Sequence, residues 1–125
     1  MSRITSSAQP TVVGRRMREL REGLGWAQEK VGVAIGIEES SSRARISRYE
    51  LGVHEPPVAT ARRIAEVLGV PLAYLYCEED AIAALLLALH KQPPRIRLAA
   101  AKKLTEQLKI LPFFGIGIDD SSLED

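Results

Sequence analysis

Between residues 40 and 63 the chain carries five arginines, Arg43, Arg45, Arg48, Arg62 and Arg63, against two carboxylates, Glu50 and Glu55. Three of the five alternate with small residues in the run Ser42-Arg-Ala-Arg-Ile-Ser-Arg48. A guanidinium presents its N–H groups as a planar fork that fits two acceptors at once, on guanine or on phosphate, and an alanine can meet a thymine methyl. On a helix, at about 100° per residue, positions 43–51 separate into two faces. Ile46, Tyr49 and Glu50 share one side, Ala44, Ser47, Arg48 and Leu51 share the other, and Arg43 and Arg45 stand at the margins. Such a helix can lie in a DNA major groove. The same pattern also fits a surface helix with solvated arginines, and this helix alone does not separate the two readings.

Other chemistries find no residues to carry them. His54 and His90 are far apart and have no companions at metal-ligand spacing, so neither a metal nor another cofactor is expected. There is no nucleophile–base pairing, no glycine-rich phosphate loop and no Cys/His cluster, so the chain is not expected to be an enzyme. Cys77 is the sole cysteine, which excludes an intrachain disulfide and reads as a small, half-buried residue. Trp26 reads as packing. The longest apolar run, residues 81–89, falls far short of the roughly 20 residues of a membrane span. The first ten residues lack the apolar centre of a signal peptide, which makes a cytoplasmic protein the expectation.

The formal net charge of +1 hides an asymmetry. Residues 1–70 hold eleven Lys/Arg against eight Asp/Glu, and residues 71–125 hold six against eight. Positive charge confined to one region suits a protein that meets phosphates with one face. Charged residues are 26% of the 125 and hydrophobic ones 46%, an ordinary globular balance, while aromatics are only 5%. Helices packed through aliphatic side chains are expected, and no alternating strand pattern appears.

These helices must position the arginines. Residues 1–10 read as a polar arm and residues 11–77 as the domain proper. Val13, Met17, Leu20 and Leu24 recur at helical spacing, predicting an amphipathic helix from Thr11 to Leu24. A short second helix fits Ala27 to Ile35, with Val31 and Ile35 inward. The polar link Ile37-Glu-Glu-Ser-Ser-Ser42 is rich in capping residues, so a serine is expected to cap a third helix, Arg43 to Leu51, ended by Gly52. Pro57 reads as the first-turn residue of a fourth helix to Leu68 whose inward stripe is Val58, Ala61, Ile64, Ala65 and Leu68. A short helix follows from Pro71 to Tyr76. Residues 78–111 then read as C-terminal helices, the run 81–90 being apolar on every side and the last helix spanning Arg95 to Leu111. Residues 112–125 end as an acidic tail.

Residues 14–76 resemble the Cro/cI-type, or XRE, family of helix-turn-helix regulators. The resemblance rests on the arginine-rich stretch GRRMRELREGLG, on Gln28-Glu-Lys30, on Ile46-Ser-Arg-Tyr-Glu50 with Gly52, and on IAEVLGVPLAYLY. It implies an all-α, lambda-repressor-like bundle that binds double-stranded DNA. Gln28 matches a family glutamine that reaches a phosphate. Glu50 matches a glutamate that pairs with an arginine of the first helix, here Arg21. Two departures stand out: Ala27 occupies the usual Ser/Thr cap, and the stretch from Gln28 to Ile46 is about four residues longer than usual. The long link, together with Ala44-Arg45, Tyr49-Glu50, His54-x-Pro56 and Tyr74-Leu-Tyr76, is similar to the controller proteins of restriction–modification systems, which bind DNA as dimers.

On this reading Ser42, Arg43, Ala44 and Arg48 are expected at base edges, and Gln28, Arg45, Ser47 and His54 at phosphates. Ile82, Leu85, Leu86 and Leu89 are expected to join two copies on a two-fold operator, with contact to RNA polymerase as one route to regulation and a membrane as no partner. The apolar helix 81–90 also keeps a second reading open, an antitoxin or other interaction module whose C-terminal half binds a different protein.

Overall fold

A computed structural model of the chain describes residues 9–111, in which seven helices and no strand occur. The proposed arm is therefore described only at Gln9 and Pro10, and the acidic tail lies outside the described residues.

Helix α1 spans Val12–Gly23 and opens on Thr11, whose hydroxyl accepts the Gly14 N–H at 3.0 Å. Helix α2, Gln28–Ala34, follows Ala27, which makes no side-chain cap, as its chemistry requires. Helix α3 runs Glu39–Leu51, so it begins four residues before the expected Arg43, and none of the serines caps it. Two features explain the early start. Glu39 places negative charge in the first turn, where the helix dipole favours it. Ser42 turns its hydroxyl back onto its own chain, donating to the carbonyls of Glu38 at 2.9 Å and Ile37 at 3.1 Å.

Helix α4 spans Val58–Leu68, with Pro57 at the cap position rather than inside the first turn. Ala61, Ile64, Ala65 and Leu68 form its inward stripe as expected, but Val58 is 60% exposed. At the first residue of the helix it lies before the stripe has turned onto the core. Helices α5, Leu72–Tyr76, and α6, Asp80–His90, follow, α6 packing on α5.

The described residues divide into two compact units between His90 and Lys91. The second contains α7, Pro94–Ile110, which begins with a proline in its first turn. The first contains α1 to α6 around one apolar cluster. Val13 and Met17 of α1, Val31 of α2, Ile46 and Tyr49 of α3, Ile64 and Leu68 of α4 and Leu75 of α5 all contribute to it. Of α6, Ala83 is buried and Leu87 packs against the cluster, whereas Ile82 and Leu85 are 45% and 39% exposed.

Two contacts set how closely α3 approaches its neighbours. Gly32 of α2 lies against Ser42, so near that a Cβ there would collide with the serine's own Cβ and Cα. At the other end Gly52 closes α3 in the left-handed region, φ 79°, with the Gln9 carbonyl seated over it. Gly32→Ala should thus be destabilising even though alanine favours a helix by about 1 kcal/mol. Overpacking of a close helix contact costs about 1–3 kcal/mol, so urea denaturation should show a lower midpoint. An unchanged or raised midpoint would mean that the α2–α3 distance is not set at this contact.

Candidate nucleic-acid interface

The two faces of α3 separate as the spacing requires. Ile46, Tyr49 and Glu50 are buried, while Ala44, Arg48 and Leu51 are exposed and Ser47 is half-buried. The early start of the helix adds Ser40 to the outer face, a residue the shorter helix had excluded. Arg43 and Arg45 are both exposed at the margins. Arg43 lines a depression with Gln28 and Ala27 at the start of α2, and Arg45 faces the opposite flank, toward α4.

Ser42 does not belong to the outer face of α3. It is fully buried against Gly32, and its hydroxyl is occupied by backbone carbonyls. The expectation that it reads a base edge is corrected. With α3 beginning at Glu39 instead of Arg43, Ser42 is an interior helical position on the Tyr49 side of the helix and no longer an end residue free to project.

Beneath the outer face lies an ionic cluster. Arg21 of α1 grips Glu50 with both arms of its fork, Nε to Oε2 at 2.7 Å and the terminal nitrogen to Oε1 at 3.0 Å. Its remaining nitrogen donates to the Trp26 carbonyl at 2.7 Å. Hydrogen bonding to Glu50 outweighs burial and holds the Arg21 guanidinium above its ordinary pKa. The Gln28 amide donates to the same Glu50 Oε1 at 3.0 Å. Gln28, expected at a phosphate, is thus held in place by the carboxylate, with one amide hydrogen still to offer.

The arginines fall into two populations. Those of α1 are all paired: Arg15 with Glu19 and Asp80, Arg16 with Asp80, Arg18 with Glu22 and Arg21 with Glu50. Among the described residues Arg43, Arg45 and Arg48 of α3, and Arg62 and Arg63 of α4, make no ion pair and no side-chain hydrogen bond. Unpaired cations gathered on two adjacent helices present a local positive field, which suits a polyanion. Arg62 and Arg63 were counted in the sequence but given no role. The i,i+4 spacing of Arg15–Glu19 and Arg18–Glu22 is realised as ion pairs in α1, whereas the same spacing of Arg62–Glu66 in α4 is not.

His54 is exposed just past α3, and its backbone N–H bonds the Arg48 carbonyl at 3.3 Å. No group of three His, Cys, Asp or Glu that could hold a metal occurs among the described residues. No described helix is long and apolar enough to cross a membrane.

Comparison with known proteins agrees with this geometry. The helix-turn-helix family (HTH_3) matches residues 17–75. The crystal structure of the transcriptional regulator BswR is 37% identical and superposes with a TM-score of 0.64, over 78% of this chain and 93% of that one. The chain belongs to the XRE-type helix-turn-helix family, all-α and built around a DNA-binding domain. An uncharacterized HTH-type transcriptional regulator of Sinorhizobium medicae is 35% identical over 69 residues. A prophage-derived HTH-type regulator of Bacillus subtilis, YonR, is 29% identical over 62 residues. These matches cover 55% and 50% of this chain, and the chain spans about half the length of both relatives, 45% and 54%.

Glu50→Ala would leave Arg21 without its carboxylate and free the Gln28 amide. Breaking a buried pair by removing one partner costs about 3–5 kcal/mol. The melting temperature should fall by several degrees, and affinity for any bound nucleic acid should fall with it. Loss of binding at unchanged stability would instead put Glu50 in direct contact with the ligand.

Proposed function

We propose that the protein is a sequence-specific regulator of transcription that binds double-stranded DNA as a homodimer, with α3 in the major groove. The observation that carries this reading is the set of five unpaired arginines on α3 and α4, beside a helix whose outer surface is small and polar. Arg43, Ala44 and Arg48 read base edges, arginine through a bidentate fork and alanine through a methyl contact. Gln28, Arg45, Ser47 and His54 hold phosphates and fix the register of the helix in the groove. Arg43 and Gln28, which share one depression, act together at one edge of the groove.

A single reading helix covers only a few base pairs, so specificity calls for two copies on half-sites roughly 34–36 Å apart. The exposed side of α6 supplies the self-complementary surface, through Ile82, Leu85, Leu86 and Leu89. A contiguous apolar patch of this kind is a liability on a monomer in water. Transcription then changes because the dimer occludes a promoter or touches RNA polymerase. The longer stretch from Gln28 to Ile46, taken up as an added N-terminal turn of α3, favours a role like that of the restriction–modification controllers, and the relatives' names, HTH-type transcriptional regulators, support the broader class.

Selection of bound duplexes from a random pool should return a two-fold related sequence. Arg48→Ala should then weaken that site by about 1–3 kcal/mol while leaving unrelated DNA nearly unaffected. Equal weakening on both would make Arg48 a phosphate contact.

Replacing Leu85 and Leu89 together by glutamate should give a monomer, or insoluble chain, without operator affinity. Sedimentation of the unaltered protein decides the matter. A monomer at micromolar concentration would remove the dimer, and a tight complex with the product of a neighbouring gene would give α6 to a different protein.

A further inference from the structure

Arg43 and Arg45 leave α3 about 200° apart around the helix. The first enters the depression at the start of α2; the second enters a separate cleft of about 340 Å³ between the α2–α3 link and α4. Arg45 meets Arg63 there, with the hydroxyl residues Ser41 and Thr60 and the carboxylate residue Glu38 on the walls. Two guanidiniums that line one concavity repel each other unless an anion lies between them. Glu38 does not fill that place, because it forms no ion pair with either arginine and its side chain makes no cap bond to α3. The cleft therefore keeps a net positive charge and donors on two sides.

We propose that this cleft binds a backbone phosphate of the DNA, held between Arg45 and Arg63, with Thr60 and Ser41 as hydroxyl donors. The proposal rests on the placement of α3 in the major groove and adds to it. A groove about 12 Å wide has a sugar–phosphate wall on each side of the helix it admits. Gln28, in the depression that Arg43 also lines, faces one wall. The cleft faces the other, so α3 is clamped from both flanks and cannot roll about its own axis. The short α2–α3 link, residues 35–38, forms one side of this cleft through Gly36, Ile37 and Glu38. Arg63 then acts on DNA of any sequence, unlike Arg48.

The test uses the full chain with two duplexes, the selected operator and an unrelated sequence, titrated over a range of salt concentrations. Arg63→Gln, on an exposed position of α4, should weaken both duplexes alike, roughly tenfold at low salt. The slope of log K against log salt should become shallower by about one. The melting temperature should not change. Glu38→Gln removes a negative charge from the cleft and should strengthen both complexes. Arg48→Ala serves as the contrast, because it affects the operator alone.

An unchanged affinity and slope for Arg63→Gln, in a chain that binds DNA, overturns the proposal and leaves the placement of α3 standing. So does calorimetric uptake of inorganic pyrophosphate that Arg63→Gln abolishes without affecting DNA, since the cleft would then serve a free phosphorylated ligand. A chain that binds neither duplex overturns the DNA reading itself.

Discussion

The tie between Arg21 and Glu50 is the interaction on which the arrangement of α1, α2 and α3 depends. It joins the last turn of α1 to the C-terminal part of α3 through two short hydrogen bonds. It also gathers the Gln28 amide at the start of α2 and the Trp26 carbonyl before it. Three helices thus meet at one carboxylate. A buried ion pair is a poor source of net stability, because desolvation offsets much of its Coulomb gain. Its value is geometric. A planar fork on a planar carboxylate fixes distance and angle together, whereas an aliphatic contact in the same place would allow α3 to slide.

Small residues complete what the ion pair begins. Gly32 beneath Ser42 lets α2 and α3 approach until their backbones nearly touch, and Gly14 does the same for α1 against the carbonyls of Tyr49 and Glu50. With both neighbours so close, the inner side of α3 is filled by Ile46 and Tyr49 and its outer side is left clear. The outer side can be small and polar because it has no packing duty. The hydroxyl of Ser42 shows the division: one residue before the exposed Arg43, it is sealed in and bonded to its own backbone.

Much of this was legible in the sequence, and what was missed has identifiable physical causes. Apolar spacing and helix-breaking residues located six of the seven described helices to within one residue at each end, and the inner face of α3 was read correctly from Ile46, Tyr49 and Glu50. The N-terminus of α3 was misplaced because Ser40, Ser41 and Ser42 resemble capping residues. A serine within a first turn can equally bond back to a carbonyl, and sequence does not distinguish the two uses. The same error put Ser42 on the reading face and left Ser40 off it. Arg62 and Arg63 gained meaning only when the arginines of α1 were seen to be paired. A free charge is a property of three-dimensional neighbours, and Glu66, in the same helix as both, pairs with neither.

The first five helices are also bound to the helix that follows them, and here the buried Arg16 matters. Arg16 of α1 donates to the Cys77 carbonyl at 2.7 and 3.1 Å, reaches Asp80 at 3.0 Å and lies over the Tyr74 ring at 5.2 Å. Asp80 is largely exposed, so that ion pair is weak in water, and the carbonyl bonds are the part sheltered from it. They fasten α1 to the junction where α5 ends and α6 begins. Ala83 and Leu87 add apolar contact along α6 itself. The junction of only three residues, Cys77, Glu78 and Glu79, therefore does not behave as a free linker. In a dimer joined through α6, the orientation of one α6 against the other passes directly to the two copies of α3. In the dimer proposed above, the distance between half-sites is set by the same bonds that fix the fold, and a change at Arg16, outside the proposed DNA contacts, should alter which operators it spans.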